Sequence, residues 1–217
     1  MTTDKVYNLI ILDESGSMSS IKNATISGFN EVVQTIKGIE KKFPEQEHFI
    51  SLVTFNGLGI KTLLDKKPAA SLSLIDQKIY QPDSMTPLFD AIGLSVLKLR
   101  NQVTGIENAN VLVTILTDGE ENASKEFSHS QINNLIKELI NEGWTFTYIG
   151  ANHNVERVAH SISITNTLNF VSNDEDVKTM FSKENSSRQR YSEKLSRKED
   201  PRSGYYDEPE NPSDKKV

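Results

Sequence analysis

Asp13-Glu14-Ser15-Gly16-Ser17 follows directly on an apolar run from Val6 to Leu12. An almost wholly apolar run is typical of a strand that is covered on both faces of a sheet. The polar pattern therefore places one carboxylate and two hydroxyls at the point where a buried strand ends. Oxygen ligands suit a hard divalent cation such as Mg²⁺ or Mn²⁺ rather than zinc or copper. Alone the pattern is weak, because Asp, Ser and Gly are common turn residues.

Two further segments carry oxygen ligands in similar positions. Thr86 lies in Ser84-Met85-Thr86-Pro87, and Asp118 lies in Thr117-Asp118-Gly119, again directly after an apolar run. Each piece has an ordinary alternative, since Ser15 or Thr86 could cap a helix and Asp118 could begin a turn. One metal site explains all three segments, whereas three separate turns do not explain their order.

In this order, the three segments resemble the von Willebrand factor A domain family. Its metal-ion-dependent adhesion site (MIDAS) combines Asp-x-Ser-x-Ser, a distant Thr and an Asp after the fourth strand. The matching positions are Asp13, Ser15, Ser17, Thr86 and Asp118. The resemblance covers roughly residues 5–182 and is greatest with bacterial, stand-alone, cytosolic members. It implies an intact MIDAS for Mg²⁺ or Mn²⁺, with Ca²⁺ as a further candidate.

The resemblance also implies how the ligands divide their roles. The two seryl hydroxyls would touch the metal, the aspartates would act partly through water, and Thr86 would join when a ligand binds. With few carboxylates in direct contact, the cation stays under-neutralised and keeps one position open. It would then attract a Glu or Asp carboxylate from a partner protein.

The rest of the chain alternates between strand and helix patterns. We predict strands over 6–12, 49–55, 60–64, 110–116, 145–149 and 168–171, and helices over 20–37, 87–100 and 131–141. The turn signal Asn56-Gly57 predicts that strand 60–64 returns antiparallel. The order implies an α/β fold: a doubly wound, mostly parallel, Rossmann-like sheet with one antiparallel edge strand and helices on both faces. Ligands of such sheets bind at the carboxyl ends of strands, where Asp13 and Asp118 fall.

Composition separates a body from a tail. The 217 residues suit one domain plus a tail, and the hydrophobic content of 36% is low because aliphatic residues nearly vanish after Lys183. We therefore predict a von Willebrand factor A domain over 1–182 and a charged, disordered tail over 183–217. Residues 183–198 can form a solvated helix or, alternatively, a segment that docks a partner protein or a nucleic acid.

Charge and cysteine content exclude several classes of function. The net charge of −6 argues against nucleic-acid binding by the body. The absence of cysteine excludes disulfides, zinc–thiolate sites and cysteine nucleophiles. No apolar run approaches the ~20 residues that span a bilayer, and no secretory signal is visible. These features predict a cytoplasmic protein that does not bind membranes.

The side chains around these segments receive simpler interpretations. We expect Glu14, Glu120 and Glu121 to be solvated surface residues, and Trp144 to lie in the core. Asp90 is either an acceptor behind the site or helix surface. The four histidines show no metal-ligand spacing, although His153 could line the same edge of the sheet.

The leading hypothesis is a non-catalytic, metal-dependent protein-interaction module. One alternative is a phosphoryl-transfer enzyme with Asp13 as nucleophile. Such enzymes require a second carboxylate two positions after the nucleophile, and this chain has Ser15 there. A phosphate-binding glycine loop and a serine-hydrolase elbow are absent from the sequence. The other alternative is a scaffold that acts through its tail.

Overall fold

A six-stranded sheet forms the centre of the computed structural model, which describes residues 3–72 and 74–207. The strands are β1 (Asp4–Asp13), β2 (Gln46–Asn56), β3 (Gly59–Pro68), β4 (Ala109–Thr117), β5 (Thr145–Gly150) and β6 (Asn166–Asn169). Their order is β3-β2-β1-β4-β5-β6. All neighbours are parallel except β2 and β3. The predicted mostly parallel α/β sheet with one antiparallel edge strand is confirmed.

Helices cover both faces of this sheet. They are α1 (Lys22–Lys42), α2 (Leu88–Val103), α3 (His129–Asn141), α4 (Val155–Ser161) and α5 (Asp174–Ser196). Helices α1 and α5 belong to one apolar core, and α2, α3 and α4 belong to the other. No helix of the described residues is both long and apolar enough to cross a membrane.

Strand β1 shows why the sheet is buried on both sides. Val6, Ile10 and Leu12 point into the core with α1 and α5. Tyr7, Leu9 and Ile11 point into the other core. Successive side chains of a strand alternate between faces, so a continuous apolar run fills both cores.

The chain after Lys183 differs most from the sequence-based expectation. Helix α5 continues without a break to Ser196, and Tyr205 and Tyr206 are buried beyond it. The alternative of a helix over residues 183–198 is therefore confirmed as far as Ser196, although the helix is packed rather than solvated. The prediction of disorder is wrong where Tyr205 and Tyr206 are buried. The part of that prediction covering residues 208–217 lies outside the described residues.

Buried polar contacts explain this difference. Glu184 Oε1 lies 2.9 Å from Arg188 Nε, and both side chains are buried. Glu184 also accepts hydrogen bonds from the hydroxyls of Tyr205 at 3.1 Å and Tyr206 at 2.7 Å. A count of aliphatic residues misses such a segment, because polar side chains that satisfy one another can be buried.

Candidate metal centre

Asp13 and Asp118 meet at one edge of the sheet. Strand β1 ends at Asp13 and pairs in parallel with β4, with Leu12 opposite Leu116. Asp118 directly follows β4, which ends at Thr117. Residues separated by about a hundred positions thus lie at the carboxyl ends of adjacent strands, as the sequence predicted.

The Asp13 carboxylate is completely buried and already oriented. Its Oδ1 accepts a 2.7 Å hydrogen bond from the Ser15 N–H, and its Oδ2 accepts one of 2.6 Å from the Thr117 hydroxyl. Burial raises the pKa of Asp13 to about 6, although these two donors oppose the rise. Since each carboxylate oxygen has two acceptor sites, each keeps one acceptor site beyond the hydrogen bond that it already accepts.

Ser17 links the first segment to Asp118. Its hydroxyl donates a 2.5 Å hydrogen bond to Asp118 Oδ1 and lies 3.2 Å from the Ser15 hydroxyl. Asp118 is 3% exposed, and burial raises the pKa of its carboxyl. Two hydroxyls and one carboxylate oxygen therefore form a continuous row.

Thr86 faces the same row from the start of α2. A Cβ placed on Gly119 would lie 3.6 Å from the Thr86 hydroxyl oxygen and 3.9 Å from that of Ser17. The structure thus brings together all the predicted site residues: Asp13, Ser15, Ser17, Thr86 and Asp118. Because residue 119 is a glycine, it leaves open space between these two hydroxyls.

The helix-capping alternatives do not describe these residues. Ser15 precedes a 3₁₀ turn over Gly16–Ile21, but its side chain makes no capping hydrogen bond. The N-cap of α2 is Pro87 rather than Thr86. Both hydroxyls are therefore left for another purpose.

The donor set fits a hard divalent cation. Every converging group is an oxygen, and only two of the five side chains carry charge. Within residues 3–72 and 74–207, no group of three or more His, Asp or Glu residues could hold a metal ion. A metal at this edge would therefore depend on hydroxyl ligands.

Two residues at this edge were missed by the sequence interpretation. Thr117 bonds Asp13, and the buried Tyr80 hydroxyl donates a 2.6 Å hydrogen bond to the Asp13 carbonyl oxygen. A polar residue at the end of an apolar strand was a usable signal for Thr117. Nothing in the sequence pattern relates Tyr80 to a residue 67 positions earlier.

The neighbouring glutamates differ from one another. Glu120 is exposed as expected, but Glu14 is only 1% exposed, so its assignment to the surface was wrong. Glu14 Oε1 accepts a 2.6 Å hydrogen bond from the Gln81 N–H, and Lys61 Nζ lies 3.6 Å from its Oε2. The Gln81 contact ties the loop before Thr86 to the first segment, and Lys61 adds a contact from β3.

Other surrounding residues complete the edge. His153 lies near enough to Asp118 that a positive charge on its ring would lower the pKa of that carboxyl. Its Nδ1 lies 2.6 Å from the Ala151 carbonyl oxygen, so that nitrogen carries the proton. Trp144 is 5% exposed, as predicted for a core residue.

A comparison with protein-family models decides the family. The model for the von Willebrand factor type A (VWA) domain matches residues 9–186. The chain belongs to this family. VWA domains are known for metal-dependent protein–protein interaction through a MIDAS, and they are typically non-enzymatic. No curated protein sequence matches this VWA domain.

Solved structures share the VWA fold at low sequence identity. The vWF domain of the type V pili tip protein Mfa5 from Porphyromonas gingivalis is 12% identical, with a TM-score of 0.59 over 87% of this chain and 96% of that one. The SpRpn10 VWA domain is 11% identical, with a TM-score of 0.52 over 82% and 94% of the two chains.

A third structure is that of proximal thread matrix protein 1 from the mussel byssus, with a zinc-occupied MIDAS motif. It is 15% identical, with a TM-score of 0.56 over 86% of this chain. The match spans only 46% of the mussel protein. At these identities the likeness concerns the fold.

Proposed function

We propose that this VWA domain is a non-catalytic, divalent-metal-dependent module that binds a partner protein. In this proposal the metal ligands are Asp13, Ser15, Ser17, Thr86 and Asp118. Mg²⁺ is the first candidate ion, followed by Mn²⁺ and Ca²⁺, and a Glu or Asp side chain of the partner completes the coordination. The bound ion supplies a positive centre that attracts this carboxylate.

The observation that carries the proposal is the row formed by Ser15, Ser17 and Asp118, with the Thr86 hydroxyl facing it across Gly119. Asp13 lies behind the row with both oxygens hydrogen-bonded, which suits a role through water. The mussel protein is described with zinc in its MIDAS, so zinc belongs in the test.

Exposed apolar side chains beside the site indicate what else the partner presents. Leu58 is 73% exposed and Met85 is 56% exposed. A Cβ placed on Gly57 would lie 2.9 Å from the Met85 nitrogen, so the β2–β3 turn touches the loop before Thr86. We infer that the partner's carboxylate is accompanied by an apolar side chain.

The alternatives have less support. Asp13 as a phosphoryl acceptor would need an accessible carboxylate, yet this residue is 0% exposed. A scaffold acting through its tail has fewer side chains available than the sequence suggested, because Tyr191, Leu195, Tyr205 and Tyr206 are buried on the body. A cytoplasmic location and a bacterial origin stay predictions from the sequence.

Thermal unfolding of the full chain tests the proposal. We expect Mg²⁺ at about 100 times its dissociation constant to add about 2.7 kcal/mol of stability, or roughly 5–10 °C in melting temperature. The double variant Ser15→Ala/Ser17→Ala should lose this gain, and the exposed Ser19→Ala should keep it. Mn²⁺, Ca²⁺ and Zn²⁺ in separate samples rank the ions.

Acetate, as a minimal carboxylate, is then added to each sample. A larger metal-induced gain with acetate supports an open coordination position. An unchanged melting curve for every ion, with and without acetate, would contradict the proposal.

A further inference from the structure

Asn122 forms hydrogen bonds with both the backbone N–H and the backbone carbonyl of Thr86. The Thr86 N–H donates a 2.9 Å hydrogen bond to Asn122 Oδ1, and the Asn122 N–H donates one of 3.2 Å to the Thr86 carbonyl oxygen. Asn122 lies four residues after Asp118 on the same loop. One proposed ligand is therefore attached directly to the loop that carries another.

Glu121 strengthens the connection. Its Oε2 accepts a 2.9 Å hydrogen bond from the Phe89 N–H at the start of α2. Its other oxygen accepts from the N–H groups of Ala123 at 2.8 Å and Ser124 at 2.7 Å. The carboxylate thus folds its own loop and also binds the first turn of α2, where a negative charge is favourable.

Asp90 makes the reverse connection from α2 to the loop. Its carboxylate accepts hydrogen bonds from the N–H groups of Lys125 at 2.7 Å, Glu126 at 2.9 Å and Phe127 at 2.8 Å. The Asp90 N–H in turn donates to the Ser124 hydroxyl at 3.0 Å. Asp90 is 8% exposed, so it is an acceptor behind the site rather than helix surface.

Apolar side-chain packing also joins α2 to the loop that follows Asp118. A Cβ placed on Gly93 would lie 2.7 Å from the Phe127 ring, so that the ring rests directly on the backbone of α2. Segments 86–90 and 121–127 are therefore joined by polar contacts at the site and by apolar packing behind it. We call this junction the α2 clamp.

We propose that the α2 clamp presets the distance between Thr86 and Asp118, and that Asn122 is its positioning residue. The inference rests on the proposed function and adds residues that no MIDAS position includes. Without the clamp, Thr86 would have to be ordered when the metal or the partner binds. With it, the Thr86 hydroxyl is in place beforehand, and the metal binds without that cost.

Magnesium affinity of the full chain, measured by isothermal titration calorimetry, tests the proposal. Removing partners that orient metal ligands typically weakens metal affinity about 10- to 100-fold. We expect Asn122→Ala to weaken Mg²⁺ binding at least about tenfold on this basis. Asn122→Asp keeps the acceptor for the Thr86 N–H and should restore most of the affinity. Asn101→Ala, at an exposed position of α2, is the matched control and should have no effect.

A double-mutant cycle separates positioning from general destabilisation. If Asn122 acts through Thr86, Asn122→Ala should change affinity less than about twofold when Thr86 is already alanine. An equal loss in both backgrounds would overturn the proposal, and so would wild-type affinity of Asn122→Ala. If Asn122→Ala does not fold, Glu121→Gln takes its place in the cycle with the same expectation.

The outcomes also separate this inference from the proposed function. Mg²⁺ binding by the wild type with unchanged binding by Asn122→Ala would refute the clamp alone. No binding by the wild type, with or without acetate, would refute the metal site and the clamp together.

Discussion

The hydroxyl of Thr117 donates a 2.6 Å hydrogen bond to Asp13 Oδ2 and thereby joins the ends of β4 and β1 beneath the candidate metal site. The same hydroxyl accepts a 3.2 Å hydrogen bond from the Gly119 N–H. Thr117 therefore fixes the Asp13 carboxylate and the beginning of the Asp118 loop at once. Both Asp13 and Thr117 are buried, so solvent cannot replace this bond.

Thr117→Val should destabilise the protein and weaken metal binding. It leaves the buried Asp13 carboxylate with one donor fewer, which costs about 1–3 kcal/mol. The loss of this donor should also raise the pKa of Asp13 above about 6. Urea unfolding without metal measures the loss of stability, and Mg²⁺ titration at pH 7 measures the weakening of metal binding.

Thr54→Val is the matched control. Thr54 is buried in β2, and its hydroxyl has no hydrogen-bond partner among the described residues. Valine should therefore be neutral or stabilising at this position. Equal destabilisation by both substitutions would mean that the Thr117–Asp13 hydrogen bond does not contribute specifically to stability.

Stabilisation by Mg²⁺ should depend on pH. Because burial raises the pKa of Asp13 from 3.8 to about 6, the metal-free folded protein loses stability as pH rises between these values. A metal ion competes with the proton for this carboxylate, so Mg²⁺ affinity should be about tenfold lower at pH 5 than on its plateau above pH 7.

Melting curves with and without Mg²⁺ at pH 5, 6 and 7 measure this dependence. Asp13→Asn removes the titrating group and should show little metal-induced gain at any pH. An equal metal-induced gain at pH 5 and pH 7 in the wild type would contradict the role of Asp13.

The convergence of the candidate site residues was easier to predict from the sequence than the end of the fold. Asp13 and Asp118 follow apolar strands, so strand order alone brings them together. By contrast, α5 is held by Glu184 and Arg188, which are indistinguishable from surface charges in a sequence. Their pairing depends on tyrosines from a later segment, and local patterns do not reveal such contacts. Asn122 was missed for the same reason.

His48 should make stability fall in weak acid. Burial and the nearby Arg188 lower the pKa of His48 to about 4. Its Nε2 lies 3.2 Å from Gln46 Oε1, and its Nδ1 lies 3.4 Å from Asn8 Nδ2. The neutral ring, with Nε2 donating, satisfies both neighbours. Its contribution is therefore full above about pH 6.5, the pKa of an unperturbed histidine, and is lost as pH falls toward 4.

The loss is at most about 3 kcal/mol per histidine for a pKa shift of this size. Asp13 titrates with the opposite sign in part of the same range, so the difference between wild type and His48→Gln is the quantity to measure. Urea unfolding of both proteins at pH 4.5 and 7 measures this difference in stability, with a His160→Gln variant at an exposed position as control. A difference that does not change with pH would contradict a neutral His48.

Truncation at residue 182 should prevent stable folding, whereas truncation at residue 207 should not. The shorter chain loses the buried side chains of Tyr191, Leu195, Tyr205 and Tyr206. At about 1.5–3 kcal/mol each, their burial is worth roughly 6–12 kcal/mol, which is comparable to the whole stability of a typical domain.

Truncation at residue 182 also removes buried hydrogen bonds, and their loss destabilises the protein further. Arg188 donates hydrogen bonds to Asn8 Oδ1 at 2.8 Å and to Thr114 Oγ1 at 2.7 Å on the sheet. Removing Arg188 uncovers these polar atoms in β1 and β4, the two strands that carry Asp13 and Asp118. Circular dichroism melting of chains 1–182 and 1–207 tests whether truncation at residue 182 prevents stable folding. A cooperative transition of the shorter chain near the full-length melting temperature would show that α5 beyond residue 182 is dispensable. If the shorter chain unfolds as expected, residues 183–207 belong to the structure that positions the candidate metal site.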